Sequence, residues 1–333
     1  MYHIKTTFKY IINMDFKNMF KIVKKVSKKA KKPAFIIFID MIYCGLVYGA
    51  GYYDYQEFEF YLIKKKYRKT YLTRSKNNSI VKAFNDPKFF IKFDDKVIFN
   101  NLFKKYLKRD YLVINKTNYQ EFVEFTNKHK ELIVKPVNET GGTGIEKLII
   151  NDSSDLKKLF DNLINKNQLL VEESVKQHEN LNQLYNKSVN TLRLYTFYNG
   201  HTVYVLNSVF KIGNGGVIDN FSSGGMYTFV NENGKVMVPA IDQDDNIYAT
   251  HPISKKTIID FKVPLYEEAC AMVKEAARII PQVKYVGWDI AIGPDGPILI
   301  EGNCFPGVYQ IKPSLTTEHV GLIPKYKKVM KIK

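Results

Sequence analysis

Residues 285–307 read YVGWDIAIGPDGPILIEGNCFPG, two apolar runs joined by Pro294-Asp295-Gly296. Proline presets φ at the second position of a turn, aspartate bonds to nearby backbone, and glycine accepts the left-handed conformation that follows. The triplet predicts a three-residue hairpin loop with a bulge, which pairs Gly293 with Pro297. In that register Asp289 stands opposite Glu301. Side chains alternate along a strand, so Asn303 shares their face, while Trp288, Ile290, Ile292, Ile298 and Ile300 fall on the other. Like charges directly opposed across a ladder repel. Either both acids stand on a solvated face, or a cation lies between them. Two carboxylates and a carboxamide are hard oxygen donors, suited to Mg²⁺ or Mn²⁺, and magnesium commonly takes only one or two protein carboxylates.

A second segment, residues 131–144, reads ELIVKPVNETGGTG. Lys135 ends an apolar run, where a lysine needs a partner. The glycine-rich Gly141-Gly142-Thr143-Gly144 lets backbone N–H groups approach phosphates, and equally makes a plain hairpin turn. It matches neither GxxxxGK[ST] nor GxGxxG. Lysine, loop and distant acidic hairpin together are far more specific than any one alone.

Around these segments helical and strand patterns alternate. A helix is expected over 96–107, strands over 131–136, 145–150 and 168–172, and a helix after the caps Asp152 or Ser153. Strands over 190–198 and 201–212 flank the Asn199-Gly200 turn. Strands over 227–230 and 235–238 flank Asn233-Gly234, and a helix follows Pro264. The fold class is α+β, rich in antiparallel hairpins.

The chain has 333 residues, 45% hydrophobic and 25% charged, which excludes disorder as its main state and leaves room for two or three compact units. Three cysteines, Cys44, Cys270 and Cys304, lie far apart. They argue against a disulfide framework and for a reducing, cytoplasmic compartment. Residues 1–30 lack a clean apolar core followed by a small-residue cleavage site, so no secretory signal is expected. The formal net charge is +17, and residues 1–76 hold seventeen lysines and arginines against five acids. Such a surplus reads as a solvated helical face, or as a peripheral contact with anionic membrane at its inner face or with acidic glycan. Residues 33–53 are apolar with Asp40 as the single charge, which predicts a buried or interfacial helix rather than a span.

In order along the chain come Asp95-Lys96, IVKP with the glycine loop, LLVEESV, NTLRLYTF, GWDIAI and LIEGN. This series resembles the ATP-grasp superfamily. With GYYDYQEFEFY, Arg68 and Thr73-Arg74 upstream, it is most similar to the sugar-transfer-associated ATP-grasp family, over residues 35–315. The resemblance implies two α+β subdomains that clasp ATP. Lys96 and Lys135 would then contact its phosphates under Gly141 to Gly144. Glu172, Glu173, Ser174 and Val175 would form the hinge strand against adenine, with His178 or Glu179 on the ribose. Arg193, Lys211 and Asn220 would serve the transferring phosphate, and Asp289, Glu301 and Asn303 would bind magnesium. The expected organisation is a basic, mainly helical region (1–90), one ATP-grasp subdomain (91–170), a second (171–320) and a basic tail (321–333).

The activity implied is carboxylate–amine ligation through an acyl phosphate. Its substrates would be a carboxylate and an amine, small or glycan-linked, with a sugar or sugar acid modified during surface polysaccharide assembly. Two other readings stand beside it. One is a kinase that phosphorylates its acceptor without ligation. The other is a basic nucleic-acid- or membrane-binding protein without catalysis, which leaves the acidic hairpin unexplained. No nucleic acid is expected as a partner. The residue following Asn303, Cys304, is read as a small buried thiol.

Overall fold

The computed structural model describes residues 15–138, 144–216, 221 and 224–332. Gly141, Gly142, Thr143 and Asn220 lie outside them. The chain divides into two compact units, residues 1–83 with 307–333, and residues 84–306.

In the first unit, helices α1 (Phe16–Ala30) and α2 (Ala34–Tyr48) are joined by Lys31-Lys32-Pro33. Helix α1 is amphipathic: Met19, Ile22, Val23 and Val26 recur at helical spacing and are buried. Helix α2 is apolar on every side apart from Asp40 and ends at Gly49, whose φ of 65° lets its N–H cap the last turn. Buried Tyr55, Phe58, Phe60 and Tyr71 complete a core with both helices. No helix among the described residues is long and apolar enough to cross a membrane.

The second unit holds two antiparallel sheets. Strands β1 (Tyr111–Val113), β2 (Glu131–Lys135), β3 (Glu146–Ile149) and β4 (Leu170–Glu173) form the smaller sheet, in the order β1-β4-β2-β3. The core beside it collects Leu132, Val134 and Val171, Phe122 of helix Tyr119–Lys128, and Phe160 and Leu163 of helix Leu156–Asn165. The larger sheet contains β5 (Thr191–Tyr198), β6 (Val203–Ile212), β7 (Met226–Phe229), β8 (Ala240–Ile241), β9 (Ile247–Tyr248), β10 (Tyr285–Gly293) and β11 (Gly296–Asn303). Its order is β11-β10-β5-β6-β7-β8-β9. Helix Tyr266–Ala276 contributes Ala269, Met272, Val273 and Ala276 to the core that also holds Trp288, Ile290 and Ile292.

The helix Leu156–Asn165 is capped by Asp155, which accepts from the Lys158 N–H at 3.0 Å, not by Asp152 or Ser153. Three further expectations change. The helix expected over 96–107 breaks at Phe103 into Lys96–Leu102 and Lys104–Leu107. Phe103 packs 4.5 Å from Phe99 and 5.5 Å from Trp288, ring to ring. Residues 235–238 make only isolated bridges, Val236 to Val230 and Lys235 to Lys262, not a strand.

The third change is at the acidic hairpin. Gly293 pairs with Gly296, not Pro297, so the turn is one residue tighter than expected. Ile292 pairs with Pro297, Ala291 with Ile298 and Ile290 with Leu299. A bulge then absorbs Ile300 and returns Asp289 to Glu301, Trp288 to Gly302 and Gly287 to Asn303. The acidic pairing therefore holds, but the apolar face differs. Leu299 joins Trp288, Ile290 and Ile292 in the core in place of Ile298 and Ile300. Ile300 is released to line a cleft.

Candidate active site

The cleft lies within the second unit and has a volume of about 250 Å³. Lys96, Asn100, Lys135, Glu301 and Asn303 line it, with Phe93, Phe99 and Ile300 as apolar walls. Helix Lys96–Leu102 supplies Lys96 and Asn100, one turn apart on one side. Asp95 caps that helix by accepting from the Val97 and Ile98 N–H groups, each at 2.9 Å, which fixes Lys96 in the first turn. The Lys96 ammonium also donates to the Val137 carbonyl at 3.3 Å, tying the helix to the segment after β2.

Lys135 has the partner its burial demands. Its Nζ lies 2.7 Å from Glu172 Oε2, across β2 and β4. Arg109 Nε reaches the same oxygen at 3.2 Å, while Arg109 Nη2 and Asn100 Nδ2 donate to Oε1 at 3.2 and 3.0 Å. Burial alone would push the Glu172 carboxyl up. Arg109 and Lys135 outweigh it and hold the group well below the usual carboxylate range. Two cations on one carboxylate leave the clasp with net positive charge at the cleft floor. Arg109 and Asn100 were not legible as site residues. The only hint is an asparagine one helical turn beyond Lys96.

Gly144, the one described residue of the glycine loop, has φ of 72°, and a Cβ there would meet Pro136 Cγ at 2.9 Å. Its carbonyl accepts from Gln168 Nε2 at 2.9 Å. Along the expected hinge, Glu172 is buried, while Glu173, Ser174 and Val175 are half-buried. His178 accepts from the Asn180 N–H at 3.2 Å and so caps the helix Glu179–Leu184, leaving Glu179 exposed in its first turn.

On the larger sheet a row runs across three strands: Glu301 on β11, Asp289 on β10 and Arg193 on β5. The Arg193 guanidinium engages both Asp289 oxygens through Nε and Nη2. Lys211 Nζ, from β6, donates to Asp289 Oδ2 at 3.1 Å. Arg193 Nη2 is also 3.8 Å from Glu301 Oε1. The cation between the two opposed carboxylates is thus supplied by the next strand. A hairpin considered alone could not reveal that third strand. Burial by itself would raise the Asp289 carboxyl, but Arg193 and Lys211 keep it far below its ordinary value. Gly287 makes room for this guanidinium: a Cβ there would lie 3.3 Å from Arg193 Cδ and 2.9 Å from Pro306 Cβ.

Asp289 is buried, whereas the Glu301 side chain is 48% exposed and faces the cleft. Asn303 Nδ2 donates to Glu301 Oε1 at 3.2 Å, so the amide is oriented beside the carboxylate. Glu301 and Asn303 fit a hard divalent cation at the cleft mouth. Asp289 accepts from Arg193 at both oxygens and from Lys211 at one, which leaves Glu301 and Asn303 as the more open donors of the three. A further set of potential ligands gathers Glu173 at the end of β4, Asp110 just before β1 and His129 after the helix Tyr119–Lys128. There Lys128 Nζ already sits 2.5 Å from Asp110 Oδ2. Cys304 is buried, and burial pushes its thiol up to about 12, the setting of a small buried thiol.

A family model described as sugar-transfer associated ATP-grasp matches residues 75–325. The chain belongs to that family. Its fold is the ATP-grasp fold, α+β with antiparallel sheets. Among curated proteins no sequence matches. Solved structures similar to it include the ATP-grasp ligase PsnB complexed with a minimal precursor. There the identity is 13% over 67% of this chain and 56% of that one, at a TM-score of 0.40. The ADP complex of purK, N5-carboxyaminoimidazole ribonucleotide synthetase, is 12% identical over 65% and 46%, with a TM-score of 0.42. D-alanine–D-alanine ligase from Bacillus anthracis is 13% identical over 71% and 66%, with a TM-score of 0.41. The chain spans about half the length of the first two.

Proposed function

We propose that the protein is an ATP- and Mg²⁺-dependent carboxylate–amine ligase. The observation that carries this reading is the cleft, where two lysines on separate elements face an exposed carboxylate and an oriented carboxamide. Lys96 and Lys135 would take the phosphates. Glu301 and Asn303 would hold the cation, which when bound offsets charge on the phosphoryl oxygens. A substrate carboxylate oxygen attacks the γ-phosphorus in line, the bond to ADP breaks, and an acyl phosphate forms. An amine then attacks the acyl carbon, phosphate leaves with the bonding pair, and the ammonium proton passes to solvent. No enzyme nucleophile is required. The protein's part is positioning and electrostatics.

Arg193 and Lys211 would act from the sheet behind Glu301, both held by Asp289. Their charge meets the phosphoryl group only if that carboxylate fixes them without fully neutralising them, and two cations on one anion meet that condition. The family's name, which speaks of sugar transfer, supports a sugar or sugar acid as one substrate. Surface polysaccharide assembly as the setting and a cytoplasmic site of action belong to the proposal itself. Incubation with Mg·ATP and a panel of amino acids, sugar acids and amino sugars tests the reading. ADP release should require both a carboxylate and an amine, and mass detection should find the amide, a product lighter by one water than its parts. ADP formed with a stable phosphorylated acceptor and no amide would replace ligase by kinase.

A further inference from the structure

Helix α2 carries two apolar faces, and among the described residues only one is covered. Ile37, Met41 and Cys44 pack into the first unit's core. On the opposite side Phe35, Ile36, Ile39, Tyr43, Leu46 and Val47 are exposed, with Phe35 at 65%, Ile39 at 62% and Leu46 at 59%. At helical spacing these six fall within an arc of about 120°. A run of large exposed side chains on one helix face marks an interaction site.

Its rim is basic. Lys31 and Lys32 are exposed in the turn before the helix, and Lys64, Lys65 and Lys66 are exposed beside it. The Lys65 ammonium lies over the Tyr43 ring, 5.8 Å from its centroid. Three of the unit's acids are taken up by other partners. Asp40, the only acid of α2, is held by Arg68 at 2.6 and 2.8 Å and accepts from the Tyr55 hydroxyl at 2.7 Å. Asp54 is buried against Arg74, and Glu59 is buried against Lys29. The carboxylate that would resist an apolar environment is therefore neutralised from within.

We propose that this face of α2 docks on the surface of an anionic lipid bilayer. The helix has 15 residues, about 22 Å, against a hydrocarbon core of roughly 30 Å, so it lies in the interface plane and does not span. Apolar side chains enter the acyl boundary while the lysines stay among phosphate headgroups, the arrangement of a monotopic helix. A protein partner would need an acidic, apolar face of matching shape. A lipid surface supplies that chemistry without one.

Co-sedimentation of the full chain with vesicles tests this, using phosphatidylcholine alone and phosphatidylcholine mixed with phosphatidylglycerol. The protein should sediment with the mixed vesicles and be released by salt. Phe35→Ser/Ile39→Ser/Leu46→Ser should weaken that binding by ~100-fold, because all three side chains leave the acyl boundary. Lys64→Ala/Lys65→Ala/Lys66→Ala should largely abolish the preference for anionic vesicles. Both variants alter exposed side chains, and circular dichroism confirms that each is folded. Folded protein that fails to sediment at low salt overturns the proposal. So does a serine variant that binds like the parent. If sedimentation velocity instead shows a dimer that the serine variant dissolves while vesicles bind neither form, the face belongs to a second copy of the chain.

Discussion

Arg193 shows what one residue can reveal and conceal. Flanked by Leu192 and Leu194 in NTLRLY, it reads as a cation turned away from the leucines, and both leucines are indeed buried in the core. What its neighbours could not disclose is that Asp289 stands directly across from it, three strands of the sheet being needed to make the row. Arginine suits that place because a planar fork meets both carboxylate oxygens at once. Arg193→Lys keeps the charge and loses the fork, with Lys211 still on Asp289. Nucleotide affinity is expected within a few-fold of the parent, and turnover lower by ~100-fold, the usual cost of losing one charge-stabilising donor. Parent-like turnover in a folded variant would make Arg193 a structural ion-pair partner only. Lys135 was legible for a different reason. A lysine inside an apolar strand needs an anion, and the anion proved to be Glu172, a residue the LLVEESV motif had assigned to the hinge.

At the scale of elements, the hairpin β10–β11 was readable in its pairing of acids and not in its path. Turn chemistry alone favoured a three-residue loop, and alternation then carried one register to the end of both strands. A bulge breaks that extrapolation, because an inserted residue shifts every side chain beyond it. The physical reason is packing. Leu299 fills the core beside Trp288, and Ile300 is turned out to the cleft. The two buried clasps, Glu172 on the smaller sheet and Asp289 on the larger, also make the fold acid-sensitive. Both carboxyls titrate far below their ordinary values of 4.5 and 3.8 because of the cations around them. An unfolded chain therefore binds their protons at higher pH than the folded one. The stability they contribute is complete above about pH 5 and is lost as pH falls through ~4 and below. Urea denaturation across that range should show stability dropping, with a shallower slope in Glu172→Gln. A flat profile from neutral pH to about pH 3 would contradict the assignment of both clasps.

Over the whole molecule, the motifs recognised in order along the chain were enough to place it in its family. The basic surplus of the first 76 residues is a property of composition, and composition cannot say which faces are covered. Only the folded first unit separates the packed side of α2 from the exposed one. Likewise the cleft is assembled from three stretches of the second unit, around Lys96, Lys135 and the end of β11, that no local pattern joins. The claim that this cleft is a Mg·ATP site is tested most directly by thermal unfolding with and without Mg·ATP, comparing the parent with Lys135→Met. The substitution keeps the aliphatic stem and leaves Arg109 and Asn100 on Glu172, so the unliganded fold should persist. At a ligand concentration 100-fold above Kd the parent should gain about 2.7 kcal/mol, and Lys135→Met should lose most of that gain. Equal stabilisation of both proteins by Mg·ATP, or of neither, would contradict it.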